Sequence, residues 1–224
     1  MSADDHSDHG HDHAEGDDHD ANPHAPIRDD HQLTYFEQRT AAIQALLIEK
    51  SVISADEVRR AIEDQDGRTP ALGAKVVARA WSDPGFKARL LEDANQAVAE
   101  LGIDVSGLAL VKAVENTESV HHVVVCTLCS CYPRSILGLP PDWYKSVNYR
   151  SRMVSQPRQV LREFGTELPA EVELRVLDST ADLRYLVIPA RPAGTESLDE
   201  EQLAGLITRD SMIGVSQARL PGAP

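Results

Sequence analysis

Residues 120–131 read VHHVVVCTLCSC, a valine-rich run of strand length that leads directly into three cysteines. β-Branched residues in such a short run favour a strand, so we expect one over residues 120–125. Thiols at Cys126, Cys129 and Cys131 cannot converge from extended backbone, because alternate side chains point to opposite faces. The loop after the strand is therefore expected to fold back on itself as a claw.

Helical patterns dominate the chain before this strand, and short strands alternate with helices around and after it. Capping boxes are expected at Ser54 with Glu57 and at Ser197 with Glu200. Apolar spacing and turn residues predict helices over residues 33–50, 54–66, 71–81, 84–100, 141–153, 157–165 and 197–208. Strands are predicted over residues 108–113, 172–177 and 183–188, the last two joined as a hairpin.

The expected fold class is α+β, with a helical N-terminal half and then a small, strand-containing, layered α/β core that carries the claw. The length of 224 residues and the 42% of hydrophobic residues suit one globular domain with an appendage. We expect a disordered tail over residues 1–31, helices over 32–102 and a metal-binding core over 103–224. Residues 32–224 are expected to form one structural domain.

The tail is rich in histidine and aspartate, and it holds seven of the nine histidines. Its composition cannot offset the entropy of ordering, which predicts disorder. Two readings stay open for the histidines at positions 6, 9, 11 and 13. They hold a first-row divalent metal loosely, or they belong to a solvated tail.

Charge and hydropathy exclude several classes of protein. Most of the net charge of −14 lies in the tail, and the rest of the chain has no basic stripe, so neither nucleic acid nor a membrane surface is an expected partner. No apolar run reaches membrane-spanning length, and the N-terminus lacks the pattern of a secretory signal. We therefore expect a cytoplasmic protein.

The cysteine cluster allows three interpretations from the residues alone. A structural zinc site needs four ligands, and His121 or His122 could be the fourth only if the backbone turned sharply, so we expect both to be structural. A disulfide between two of the cysteines would leave one free thiol and act as a redox switch. In the third interpretation, three thiolates and the amide nitrogens of the Cys129–Cys131 turn hold a metal that prefers soft ligands, such as cobalt, iron or zinc.

The string VVVCTLCSCYPRSILGLPPDWYKSVNYRSRMV, residues 123–154, resembles the metal-binding segment of the nitrile hydratase α subunit. The signature of that family is V-C-[TS]-L-C-S-C, followed by a proline-rich stretch and W-Y-K. Residues 74–102 and 174–215 are also similar to the family. The resemblance thus extends well beyond the claw.

The resemblance implies a non-corrin, low-spin Co(III) centre. The sulfurs of Cys126, Cys129 and Cys131 and the deprotonated backbone nitrogens of Ser130 and Cys131 would bind the ion. Cys129 would be oxidised to a sulfinic acid and Cys131 to a sulfenic acid, while Cys126 would stay a thiolate. Thr127, where iron-type members tend to have serine, indicates cobalt rather than iron.

The resemblance also implies hydration of nitriles to amides, with Ser130 and Cys131 as catalytic residues. A trivalent ion with an open site is a Lewis acid that can polarise a nitrile or activate water. Metal-bound water and the sulfenate oxygen of Cys131 both remain open as the attacking group. The family pairs this subunit with a β subunit that supplies arginines, so an αβ heterodimer or a higher assembly, an activator protein that loads the metal and a small nitrile substrate are expected.

Arg134 departs from the nitrile hydratase pattern, which usually has tryptophan at this place in the substrate pocket. An arginine beside the metal suits an anionic or polar substrate. The γ subunit of thiocyanate hydrolase, a related family, has the same claw followed by C-Y-P-R, which implies conversion of thiocyanate to carbonyl sulfide and ammonia. The alternative is that Arg134 pairs with a carboxylate at a subunit interface.

Glu100, Asp178 and Arg184 match family positions in the hydrogen-bond network around the claw. Without the resemblance they would be an exposed helix-end carboxylate, a hairpin residue and a solvated strand charge. A non-catalytic zinc-binding or redox-sensing protein remains the alternative from another functional class.

Overall fold

The computed structural model describes residues 34–104 and 109–222. The expected disordered tail over residues 1–31, with its histidines, lies outside the described residues. Helices before the first strand and a mixture of strands and helices after it confirm the α+β class. None of the helices in the described part is both long enough and apolar enough to cross a membrane.

The described residues divide into two compact units, one that ends at Ile53 and one that begins at Ser54. Within the first unit the structure describes helix α1, Tyr35–Glu49, which begins with a capping box between Thr34 and Glu37. All other described elements belong to the second unit. The expected segments over residues 32–102 and 103–224 stay a prediction.

Four helices open the second unit: α2 (Ala55–Gly67), α3 (Pro70–Ser82), α4 (Pro84–Glu92) and α5 (Ala94–Glu100). The capping box at Ser54 and Glu57 is confirmed. The single helix expected over residues 84–100 is wrong, because Asp93 has extended backbone and its side chain accepts a hydrogen bond from the backbone N–H of Gln96. Asp93 therefore ends one helix and caps the next.

The strands form two separate parallel pairs. They are β1 (Leu110–Glu115), β2 (Val120–Val125), β3 (Glu173–Asp178) and β4 (Leu183–Ile188), with β1 paired to β4 and β2 paired to β3. The expected hairpin between the last two is wrong, since residues 179–182 carry the chain from one sheet to the other. In the β2–β3 register Val125 faces Asp178, which brings the ends of both strands to the start of the claw.

Among the described residues, six short helices follow the claw: α6 (Arg134–Leu137), α7 (Asp142–Lys145), α8 (Val147–Ser155), α9 (Pro157–Glu163), α10 (Glu200–Ala204) and α11 (Arg209–Ile213). The continuous helix expected over residues 141–153 is interrupted at Ser146, whose side chain caps α8. The capping box expected at Ser197 is wrong. Asp199 and Gln202 form that box, and the helix ends at Ala204 rather than near residue 208.

The core is mainly aliphatic, as the scarcity of aromatic residues indicates. Strand β2 lies at its centre, with Val123, Val124 and Val125 almost completely buried. Gly214 at the end of α11 approaches the backbone of His122 so closely that a Cβ would collide with the carbonyl oxygen, and its φ of +91° favours glycine. Residues 121–125 are all buried, so both faces of β2 are packed and the strand that carries the claw is held in place.

Candidate metal centre

The loop after β2 brings all three cysteine sulfurs together, as the spacing predicts. The Sγ atoms of Cys126 and Cys129 are 3.5 Å apart, and those of Cys129 and Cys131 are 3.3 Å apart. All three sulfurs lie within 4.8 Å of one another. Among the described residues, no other group of three or more His, Cys, Asp or Glu side chains brings its ligand atoms this close together. The backbone N–H of Cys129 donates to Cys126 Sγ at 3.3 Å, which closes the turn.

The three thiols are free, and their separations are well beyond the roughly 2.05 Å of a disulfide. Their hydrogen bonds lower the pKa of Cys129, chiefly through the contact with Cys131. Burial, reinforced by the same contacts, raises the pKa of Cys131 to about 12. Three negative sulfurs this close repel one another, so a cation among them is the natural way to ionise all three.

Backbone N–H groups of the claw also act on the Cys129 thiol. The backbone N–H groups of Ser130 and Cys131 act as donors toward the Cys129 thiolate and so contribute to its lowered pKa. Thiolates and backbone nitrogens together form a compact donor set of the kind that soft and borderline transition metals prefer. The residues present therefore fit the metal that the family resemblance implies.

The entrance to the claw is held by Asp178 at the end of β3. Its Oδ1 accepts the backbone N–H of Thr127 at 2.9 Å, and its Oδ2 accepts the Thr127 hydroxyl at 2.6 Å. On the other side, Arg150 Nη1 donates to the Thr127 carbonyl oxygen at 3.2 Å. Asp178 is thus in contact with the claw, while its role in orienting the ligands stays a prediction.

Two tyrosines that sequence reasoning did not place at the site contact the backbone around the claw. The Tyr144 hydroxyl donates to the carbonyl oxygen of Cys131 at 2.9 Å. The Tyr149 hydroxyl donates to the carbonyl oxygen of Val124 at 2.7 Å. Burial raises the pKa of both phenols. The signal was the pattern W-Y-K-S-V-N-Y just after the claw, because a buried tyrosine hydroxyl needs a hydrogen-bond partner.

A cavity of about 320 Å³ opens over the outer side of the claw. It is lined by Ala109, Cys129, Ser130, Cys131, Tyr132, Arg134 and Arg184. The Nη1 atom of Arg184 is buried and has no hydrogen-bond partner among the described residues, and Arg184 acts to lower the pKa of Cys131. Two guanidinium groups therefore border the space in front of Cys131, and they favour a polar or negatively charged occupant.

Glu100 is the predicted site residue that the structure places elsewhere. Its carboxylate binds Arg89 at 3.0 and 2.9 Å, and the pair is exposed at the end of α5. Glu100 does not line the cavity at the claw. Its expected role in the claw network stays a prediction.

His121 and His122 are both buried and are occupied by contacts within the fold. Nε2 of His121 bonds to the Gly214 carbonyl oxygen at 2.7 Å, and the Asn116 side chain binds both histidines. Burial lowers the pKa of each ring. These contacts fit the expectation that both histidines are structural.

Comparison with known proteins places the chain among a set of related enzymes. A family model described as nitrile hydratase, alpha chain, matches residues 34–216. The α subunit of the high-molecular-weight cobalt-containing nitrile hydratase of Rhodococcus rhodochrous is 52% identical over 192 residues, which cover 85% of this chain and 95% of that protein.

Two further relatives differ in name from this cobalt nitrile hydratase. The γ subunit of thiocyanate hydrolase from Thiobacillus thioparus is 43% identical over 196 residues, covering 83% of this chain and 81% of that protein. A solved double mutant of the Fe-type nitrile hydratase from Comamonas testosteroni Ni1 has a TM-score of 0.77 at 44% identity, covering 84% of this chain and 93% of that chain. Names that specify cobalt and names that specify iron thus both occur among the similar proteins.

Proposed function

The chain belongs to the nitrile hydratase α-chain family, and we propose that it is the metal-binding catalytic subunit of an enzyme that hydrates nitriles to amides. One observation carries this proposal. Three thiols converge within 4.8 Å of one another, at the wall of a cavity that is lined by Cys129, Ser130 and Cys131. This arrangement provides both a metal-binding claw and room for a small substrate.

The metal in this proposal is low-spin, non-corrin Co(III), held by the sulfurs of Cys126, Cys129 and Cys131 and by the amide nitrogens of Ser130 and Cys131. When bound, the ion supplies a Lewis acid for the nitrile group. The name of the Rhodococcus relative and the threonine at position 127 favour cobalt over iron. The donor set itself suits either metal.

The exposure of the three thiols supports the proposed oxidation states. Cys126 is 1% exposed, and we assign it the unmodified thiolate. Cys129 is exposed and Cys131 is half-buried, and we assign them the sulfinic and sulfenic acids. An oxygen atom on Cys131 would lie at the cavity wall, so Cys131 and Ser130 are the catalytic residues of this proposal. Asp178 and Arg184 would keep the loop and its charge in place.

The proposal includes a β subunit as partner. Leu128 at the tip of the claw is 85% exposed, so a partner that covered the claw would bury this large apolar side chain. A negatively charged sulfur cluster also needs cationic partners when it is covered. We assign that cover to a β subunit, in an αβ heterodimer or a higher assembly, with an activator protein that loads the metal. A cytoplasmic location belongs to the same proposal.

Hydrolysis of thiocyanate is the second candidate function, and Arg134 is the observation that favours it. Its side chain lines the cavity beside Arg184, where an anion such as thiocyanate would be stabilised. The relative from Thiobacillus thioparus carries that activity in its name.

Two assays of the purified complex test the proposal. With acrylonitrile, we expect acrylamide; carbonyl sulfide and ammonia from thiocyanate, without any amide from the nitrile, would favour the second candidate. Metal analysis tests the non-catalytic alternative. One cobalt per α chain with a visible sulfur-to-metal charge-transfer band is expected, whereas a colourless protein with one zinc would support a zinc-binding interaction protein.

A further inference from the structure

Two buried tyrosines on neighbouring helices hold the backbone on either side of the claw. Tyr149 in α8 donates to the carbonyl oxygen of Val124 in β2, and Tyr144 in α7 donates to that of Cys131 at the far end of the loop. Tyr144 is 0% exposed and Tyr149 is 5% exposed. Their ring centroids are 5.7 Å apart, so both belong to one aromatic cluster.

The two carbonyl groups differ in what else fixes them. Val124 lies within β2 and is paired with Leu177 in the parallel register, so the sheet itself holds this part of the backbone. Cys131 lies in the irregular stretch between β2 and α6, where no strand or helix holds the backbone. The position of Cys131 therefore depends on side-chain contacts, of which the bond from Tyr144 is made directly to its peptide group.

The Tyr144 ring is itself held firmly. It packs edge-to-face against Tyr132 with a centroid distance of 5.3 Å and against Trp143 with a distance of 5.9 Å. A fully buried ring in contacts of this kind cannot reorient without disturbing the core. The phenol is thus a fixed donor, whereas the backbone that accepts its hydrogen bond lies outside the helices and strands.

We propose that Tyr144 is a positioning residue that, by holding the carbonyl group of Cys131, orients the sulfur and the amide nitrogen of that residue toward the metal. The inference rests on the proposed function, because it requires a metal in the claw. Groups that orient metal ligands in this way typically change metal affinity or activity by about 10- to 100-fold when removed. Tyr149, which holds a strand that is already paired, is expected to contribute to stability alone.

The test compares Tyr144→Phe with Tyr149→Phe in the complete complex, since each change deletes one buried hydroxyl from the same cluster. For Tyr144→Phe we expect metal release to a chelator to be about 10- to 100-fold faster and the sulfur-to-metal charge-transfer band to shift. For Tyr149→Phe we expect a lower melting temperature, with the release rate and the band of the wild type. Equal release rates and identical bands in the two variants would overturn the inference.

A further substitution keeps the test decisive if Tyr144→Phe fails to assemble. Tyr144→4-aminophenylalanine keeps the ring and a hydrogen-bond donor, so it should restore assembly, metal retention and the band; failure to restore them would overturn the inference. A wild-type complex that holds no cobalt or iron would overturn both this inference and the proposed function. If the wild-type complex holds the metal but Tyr144→Phe and Tyr149→Phe have equal release rates and identical bands, only this inference is overturned and the proposed function stands.

Discussion

Both carboxylate oxygens of Asp178 are bonded to Thr127, one to its backbone N–H and the other to its hydroxyl. Thr127 is the residue directly after the first cysteine, and Asp178 ends the strand that pairs with β2. The parallel register therefore places a charged acceptor where the claw begins. Sequence distance hides this relationship, because 51 residues separate the two.

The first prediction concerns Asp178→Asn. The variant loses one of the two acceptors for Thr127, which should cost about 1 kcal/mol of folding free energy and leave the claw less constrained, so the purified complex should contain less metal. Asp182→Asn is the matched control, because Asp182 lies in the loop that follows β3 and its side chain is exposed. Metal per chain and urea unfolding measure the two effects; an unchanged metal content in Asp178→Asn would contradict the proposed role of Asp178.

The second prediction concerns the ligands themselves. Cys129→Ser or Cys131→Ser removes a sulfur ligand and an oxidation site together, so we expect loss of bound cobalt and loss of nitrile turnover. Ser151→Ala, on the exposed face of α8, should leave both unchanged. Retained turnover in either cysteine variant, measured on complexes of matched folding, would rule out the metal claw as the catalytic centre.

A third prediction addresses the substrate. Arg134→Trp replaces a cationic cavity wall by an apolar one, so the ratio of kcat/KM for benzonitrile to that for acrylonitrile should rise. Arg162→Trp, on α9 and outside the lining of this cavity, should leave the ratio unchanged. If Arg134→Trp changes neither this ratio nor turnover of thiocyanate, Arg134 belongs to a subunit interface instead.

The fourth prediction is a pH dependence of stability that involves His121. Burial lowers the pKa of His121 in the folded chain below the value of about 6.5 for an unfolded chain. The unfolded state therefore binds more protons, so this group stabilises the fold above pH 6.5, and the contribution is lost as the pH falls through the folded pKa.

Urea unfolding of the metal-free chain at pH 7.5 and pH 5.5 measures this effect. Wild type should lose more stability between the two values than His121→Gln, because glutamine does not titrate. His122→Gln, which removes a second ring whose pKa is also lowered by burial, shows how much of the remaining slope is due to that neighbour. An equal loss in wild type and His121→Gln would contradict the prediction.

Local pattern was sufficient for the parts of the fold that depend on neighbours in sequence. The valine run predicted β2, the spacing of the cysteines predicted that they converge, and Ser54 with Glu57 predicted the start of α2. Strand pairing was not local. The short link over residues 178–182 suggested a hairpin, whereas β3 and β4 each pair with a strand more than 50 residues earlier in the chain.

The candidate site shows the same division. The cysteines and Arg134 lie in one stretch, and both were found from the sequence. Tyr144 was missed, because a tyrosine beside a tryptophan indicates a core and the acceptor of its hydroxyl depends on tertiary packing. Asp93 and Ser146 each interrupt a helix that the apolar spacing predicts as continuous, because one capping side chain decides where the backbone turns.

Anomalous scattering at the cobalt absorption edge, measured on crystals of the purified complex, tests the central claim most directly. The account predicts one strong peak per α chain among the sulfurs of Cys126, Cys129 and Cys131, with the backbone nitrogens of Ser130 and Cys131 next to it. No peak at the claw at either the cobalt or the iron edge, or a zinc signal there instead, would contradict it.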